Sequence, residues 1–232
     1  MYSENVVGYT KVSLPAGFFL AGANFKQVGT NEESIWFTDL VSGNFNAGDE
    51  VQFFDSAVGG YVTLRYYVGT LADTTTIPPQ FGLTGWGTTL GTKSDHEITA
   101  GTGFWIKSNA ASVEQTQAGE VVSTESPLAI YPAGFSLVAT KYPKDYFLSE
   151  LILNGISSGD EVQFFDSESG SYMTLRYYVG TLADTTTIPP QFGLTGWGTP
   201  LGNKSDCEIK LGTGFWLKAQ SPVTVEFPPP LL

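Results

Sequence analysis

The chain has one cysteine, one histidine, two arginines and two methionines among its 232 residues. A lone Cys207 cannot close an internal disulfide, and a lone His96 cannot build a histidine metal cluster. So little cysteine leaves the redox compartment open. Arginine occurs only at Arg65 and Arg176 and the formal net charge is -12, so no basic cluster can neutralise a row of phosphates. Nucleic acid is therefore not an expected partner. The same acidic balance repels anionic lipid, and no apolar run approaches the roughly 20 residues that span a bilayer. A soluble chain without membrane insertion is expected. Met1-Tyr2-Ser3-Glu4 is not a basic-then-apolar leader, so no export signal is expected in this chain. HExxH, GxSxG, a P-loop and paired CxxC are all missing. No catalytic residue, metal ligand set or cofactor is assigned.

What is present points to strands. Aromatic residues make up 14% of the chain, with 27 Gly and 13 Pro, and only 15% is charged, a balance that suits strands and tight turns better than helices. Self-similarity is the strongest signal. The 51 positions from Gly48 to Ile98 match Gly159 to Ile209 with seven differences, at a shift of 111. Beyond this block LPAGFFLAG at Leu14 answers YPAGFSLVA at Tyr131, at a shift of 117, and AGTGFWIKS at Ala100 answers LGTGFWLKA at Leu211. Six residues are therefore missing from the second copy between Ala139 and Gly159. A shift that recurs once marks a duplication and not a solenoid. The small and polar stretch from Gly119 to Pro127 reads as the linker, giving modules over 1–119 and 120–232 related by an approximate twofold axis.

Val51 to Asp55 and Tyr61 to Val68 read as a hairpin around a glycine-bearing turn. Val62, Leu64, Tyr66 and Val68 share the face expected in the core, with Met173 replacing Val62 as a gap filler. Further strands are expected at Lys11 to Leu14, Gly17 to Gly22, Gly103 to Lys107 and Ala111 to Gln115, with short helical turns at Glu32 to Leu40 and Asp145 to Leu151. The fold class is all-β, with two tandem homologous β-sandwich or partly open barrel domains and at most one short helix each. Three prolines after Phe227 end the last strand in an extended tail, expected to dock on its own domain or a neighbour.

Val68 to Thr88, repeated without change at Val179 to Thr199, reads as a long connection, the kind of loop that tends to carry function. One reading makes Asp73, Thr75, Gln80 and Trp86, with Asp184, Thr186, Gln191 and Trp197, a polar and aromatic contact surface for a ligand or for assembly. The other folds Ile77, Phe81, Leu83 and Trp86 back onto the sheet as a packed lid. Arg65 and Arg176 sit mid-strand between aromatics and are expected to pair with Asp55 and Asp166. Trp105 and Trp216 follow glycine turns, where core packing competes with a sugar-stacking platform. His96 becomes Cys207 in the second copy, so a catalytic or metal role cannot be shared by both. Asn44, Asn46, Asp49 and Glu50 put oxygens at alternating positions as in a calcium loop, but the second copy lacks the asparagines, and a turn is the reading adopted.

PAGFFLAG, then GDEVQFFD, then GTGFWIKS resembles a group of secreted bacterial tandem-repeat β-proteins. The resemblance implies an extracellular or cell-surface location and a β-fold, and it carries no catalytic residues. Three functions compete. The leading one is a non-catalytic structural subunit that self-associates into a fibre, tube or surface layer. The second is a bivalent carbohydrate-binding module, with glycans as partners. The third is an enzyme using a pair of carboxylates.

Overall fold

The computed structural model describes residues 6–29, 34–110, 113–122 and 129–230. The first copy runs through β1 (Val7–Leu14), β2 (Gly17–Gly22), β3 (Ser34–Trp36), one helical turn α1 (Phe37–Leu40) and β4 (Val41–Gly43). It continues with β5 (Glu50–Asp55), β6 (Gly60–Asp73), β7 (Gln80–Gly87), β8 (Glu97–Thr99), β9 (Gly103–Ser108) and β10 (Val113–Glu120). The second copy repeats the order. It has β11 (Ala129–Tyr131), β12 (Gly134–Ala139), β13 (Tyr146–Phe147), a 3-10 turn (Leu148–Glu150) and β14 (Ile152–Asn154). Then come β15 (Glu161–Asp166), β16 (Ser171–Asp184), β17 (Gln191–Gly198), β18 (Glu208–Ile209), β19 (Gly214–Ala219) and β20 (Val223–Glu226).

The fold is all-β, and every strand pair is antiparallel. Each copy has a five-stranded sheet, ordered β2-β9-β5-β6-β7 or β12-β19-β15-β16-β17. A three-stranded sheet lies across it, β1-β10-β4 or β11-β20-β14, together with a short pair, β3-β8 or β13-β18. The sheets keep open edges, so this is sandwich packing and not a closed barrel. Alternation explains the large sheet: Val51 and Phe53 point into the core while Gln52 and Phe54 point out.

Phe37 is the hub of the first core. Its ring meets those of Trp86, Phe53 and Phe104 edge-on at 5.3, 5.4 and 5.6 Å. The second copy has the smaller Leu148 at the matching position, and there Tyr146 and Phe227 fill the space, 5.4 Å apart. The Tyr146 hydroxyl donates to the Pro228 carbonyl at 2.6 Å, which fastens the start of the proline tail to its own copy. Leu231 and Leu232 lie outside the described residues.

Several expectations change. The core face of β6 narrows to Leu64 and part of Tyr66, whereas Val62 is 40% exposed and Met173 44%. The smaller sheet covers only the middle of β6, so Met173 fills no gap. The helical turn expected over Glu32 to Leu40 shrinks to Phe37–Leu40, and Glu32 and Glu33 lie outside the described residues, as do Ala111, Ser112 and residues 123–127 of the linker. β10 continues through Glu120, and Val121 packs against both cores. The segment Val68 to Thr88 is not a long loop. β6 runs on to Asp73 and β7 starts at Gln80, so most of the segment is hairpin.

The two copies meet through reciprocal contacts. The Gly22 amide donates to the Gly212 carbonyl at 2.9 Å, and at the equivalent place the Ala139 amide donates to the Gly101 carbonyl at 2.8 Å. Trp105 lies edge-on to Phe165, and Trp216 to Phe54, both at 4.9 Å. Leu20, Leu137 and the two tryptophans form one buried cluster at this seam. Such an exchange of equivalent residues is the signature of twofold pairing. A Cβ on Gly214 would lie 2.7 Å from the Ala21 carbonyl oxygen, so the backbones can close only around glycine.

Phe37→Ala is expected to lower stability by about 3–5 kcal/mol, and Leu148→Ala by about 2–5 kcal/mol. Val62→Ser should change it by less than about 0.5 kcal/mol. Urea unfolding of the three variants checks the ranking.

Candidate functional site

The outer parts of β6 and β7, with β16 and β17 in the second copy, form a hairpin arm beyond the sandwich. Gly69, at φ 66°, and Gly82, at φ 73°, break the regular alternation, and the register shifts between Tyr67 and Leu71. Leu71 turns inward beneath Gly87, where any side chain would meet its Cδ1 at 2.5 Å. The loop after β7 folds back, its Lys93 amide donating to the Ala72 carbonyl at 2.7 Å. This curl makes one wall of a cleft of about 690 Å³. The opposite wall comes from α1 and β4, and the second copy has a matching cleft of about 610 Å³.

The first cleft gathers Asp73, Thr75, Gln80 and Trp86, four residues singled out in the sequence. Asp73 is buried, and its Oδ1 accepts the Thr75 hydroxyl at 2.6 Å and the Thr75 amide at 3.0 Å. Its Oδ2 pairs with Lys93 at 3.1 Å. The Thr75 hydroxyl, followed by Lys93, holds the Asp73 carboxyl below the usual carboxylate range. In the second copy Asp184 makes the same bonds to Thr186 and Lys204, and Gln191 and Trp197 line the cleft. A carboxylate held ionised anchors the turn but is a poor proton donor at neutral pH.

Trp86 belongs mostly to the core. It is 6% exposed, with Phe45, Tyr66 and Phe37 packed edge-on around it at 4.9, 5.1 and 5.3 Å. The lid reading fails for Ile77, which is 99% exposed, and for Phe81, at 73%. Ile188 and Phe192 match them at 100% and 73%. These side chains stand at the outer ends of the arms, facing solvent.

Arg65 does not pair with Asp55. The register sets Arg65 opposite Glu50, and its Nη2 donates to Glu50 Oε1 at 2.7 Å, while Lys107 reaches Oε2 at 3.6 Å. Asp55 lies opposite Gly60, at the far end of the strand, and accepts the Ala57 amide at 2.9 Å to close the hairpin turn. Arg176 likewise pairs with Glu161 at 2.6 Å, and Asp166 closes its own turn with the Glu168 amide at 3.0 Å. Hydrogen bonding from Arg65 and from Arg176 holds the Glu50 and Glu161 carboxyls below their usual range.

The remaining candidates are structural. Asp49 is fully buried, and its two oxygens accept the Asn46 and Asn109 amides at 2.8 Å each, so the calcium-like stretch is a braced turn. Trp105 and Trp216 are taken up by the seam between copies. His96 stacks on Phe53 at 4.2 Å, and burial pushes its imidazole below the ordinary value. The Cys207 thiol is pushed up to about 11, chiefly by burial, which favours its protonated form at neutral pH.

Sequence reasoning missed Tyr66, Lys93, Ser94 and Asp95, which complete the cleft, and Thr38, whose hydroxyl bonds to Asp95. A signal existed. Lys93 to Asp95 lie inside the duplicated block, and Thr38 corresponds to Ser149, whose hydroxyl donates to Asp206 at 2.5 Å. No family model matches the chain, and no curated protein or solved structure matches it.

The carboxylates held low contribute stability that is present above their ordinary values and lost as pH falls through the lowered ones. The urea midpoint is therefore expected to be flat above about pH 5 and to fall on acidification below it. Glu50→Gln with Glu161→Gln should begin lower at neutral pH and lose less on acidification.

Proposed function

We propose that the protein is a non-catalytic structural module that joins copies of itself through its two hairpin arms, outside the cell or at its surface. One observation carries the reading: the apolar tips of both arms are exposed on surfaces that hold almost no charge. Between residues 68 and 92 the only charged residue is Asp73, which Lys93 neutralises, and residues 179–203 repeat this with Asp184 and Lys204. Ile77, Phe81 and Leu90 stand out on one arm, and Ile188, Phe192 and Leu201 on the other.

The charge of -12 makes two copies repel over most of their surface. The neutral arms are where approach costs least and where apolar area can be buried. Two equal contacts per chain support linear growth, since a self-complementary patch on each copy needs no ring to satisfy it. The resemblance to secreted repeat proteins favours the same location.

Association should strengthen as salt rises from about 0.01 M to about 0.5 M, because screening shortens the range of the repulsion. Ile77→Asp and Phe81→Ser together, in one arm only, are expected to stop growth at dimers. The same changes in both arms should give monomers. Analytical ultracentrifugation reads all three states. A wild-type chain that stays monomeric at high concentration and high salt, or a two-armed variant that assembles like wild type, would refute the reading.

A further inference from the structure

We infer that the two clefts along the inner faces of the arms are sites for a neutral polyhydroxylated ligand, a segment of glycan. This goes beyond association through the arm tips, whose exposed Ile77, Phe81 and Leu90 are not among the residues lining the cleft.

The chemistry of the lining selects the class. The charged groups of the first cleft already have partners within the protein, Asp73 in Lys93 and Thr75, and Asp95 in the Thr38 hydroxyl and the His96 amide at 2.8 Å, and Asp95 leaves one unbalanced negative charge at the rim. An anion would meet the unbalanced charge of Asp95, and a ligand competing for Asp73 or Lys93 would have to break their pair. Among the described residues, by contrast, the Tyr66 hydroxyl, the Gln80 amide and the Ser94 hydroxyl make no hydrogen bond within the protein, although all three residues line the cleft. Tyr177, Gln191 and Ser205 repeat this in the second cleft. Beneath these groups lie Leu71, Leu83 and the exposed part of Trp86.

Uncharged donors and acceptors above an apolar and aromatic floor fit a ring with hydroxyls at its edge and C–H groups on its face. A wholly apolar ligand would strip water from the three polar groups and return nothing. The cleft volumes fall within the range of small-molecule sites.

The two clefts share the arm wall and differ in the other. Ser42 and Phe45 face the first cleft, where Leu153 and Ile156 face the second. This flank lies outside the nearly identical block, yet it keeps one feature, the hydroxyl of Thr38 or Ser149 bonded to the rim carboxylate. The sites are thus a pair with a common half and unequal strength. The first holds the extra hydroxyl and aromatic ring and is the tighter.

The test is titration of the full chain, at low salt, with maltohexaose, cellohexaose and chitohexaose, followed by tryptophan fluorescence and amide chemical shifts. At least one is expected to give saturable changes at about millimolar concentration, with shifts at both Gln80 and Gln191 and the Gln80 site filling first. Tyr66→Phe with Gln80→Ala should weaken the first site by about tenfold or more and leave the second unchanged. Phenylalanine keeps the ring packing on Trp86, and circular dichroism confirms folding. The inference is overturned if none of the three gives a saturable change by about 10 mM, or if the variant binds as wild type does. Neither outcome touches arm-tip association, which sedimentation reads without sugar.

Discussion

The close approach of the two copies at their seam is the constraint from which the rest of the arrangement follows. Equivalent backbone segments exchange hydrogen bonds around Gly22, Gly101 and Gly212, and equivalent tryptophans cross to lie against the other copy's phenylalanines. Backbones this near leave no room for a side chain at Gly214. The seam takes up the surface that the GTGFW strands would otherwise expose. It turns two modules that each bury a core into one unit with two like arms.

The polar contacts at the seam are less symmetric than the backbone. Asn24 is fully buried and donates through Nδ2 to the Thr140 carbonyl at 2.6 Å and to its hydroxyl at 2.7 Å. The corresponding residue in the second copy is Lys141, so this bond is made once. Within the first copy, Gln117 donates to the Gly22 carbonyl at 2.7 Å and braces the strand end that reaches the seam. Buried amides paired this way fix relative position more than they add stability. Bridge and aromatic geometry set the twofold, and the Asn24–Thr140 contact crosses it once.

Charge organises the outside. Several carboxylates in the sheets are matched by a lysine or arginine, as at Glu50, Glu161, Glu120 and Asp73, while the turns at the arm tips carry none. The excess negative charge therefore sits elsewhere on the surface. The neutral apolar tip thus adjoins a cleft in which Thr75 and Lys93 hold the Asp73 carboxyl below its usual range.

Local patterning along the chain was enough for the duplication, the all-β class and most strand positions. Repeat matching and period-2 alternation are local, and Gly17 to Gly22 was legible to the residue because Pro15 and the seam glycines bound it. Such patterning also brought Asp73, Thr75, Gln80 and Trp86 forward together. What these residues face was settled by long-range packing. Register put Arg65 against Glu50 and not Asp55, since pairing depends on which residue lies across the ladder and not on composition. The positive-φ bend at Gly69 turned an expected loop into a curled arm, bringing Lys93 to Asp95 beside residues 20 or more positions earlier. Packing area decided that Val62 stays outside and Trp105 inside, because the smaller sheet ends short of the one and the second copy covers the other.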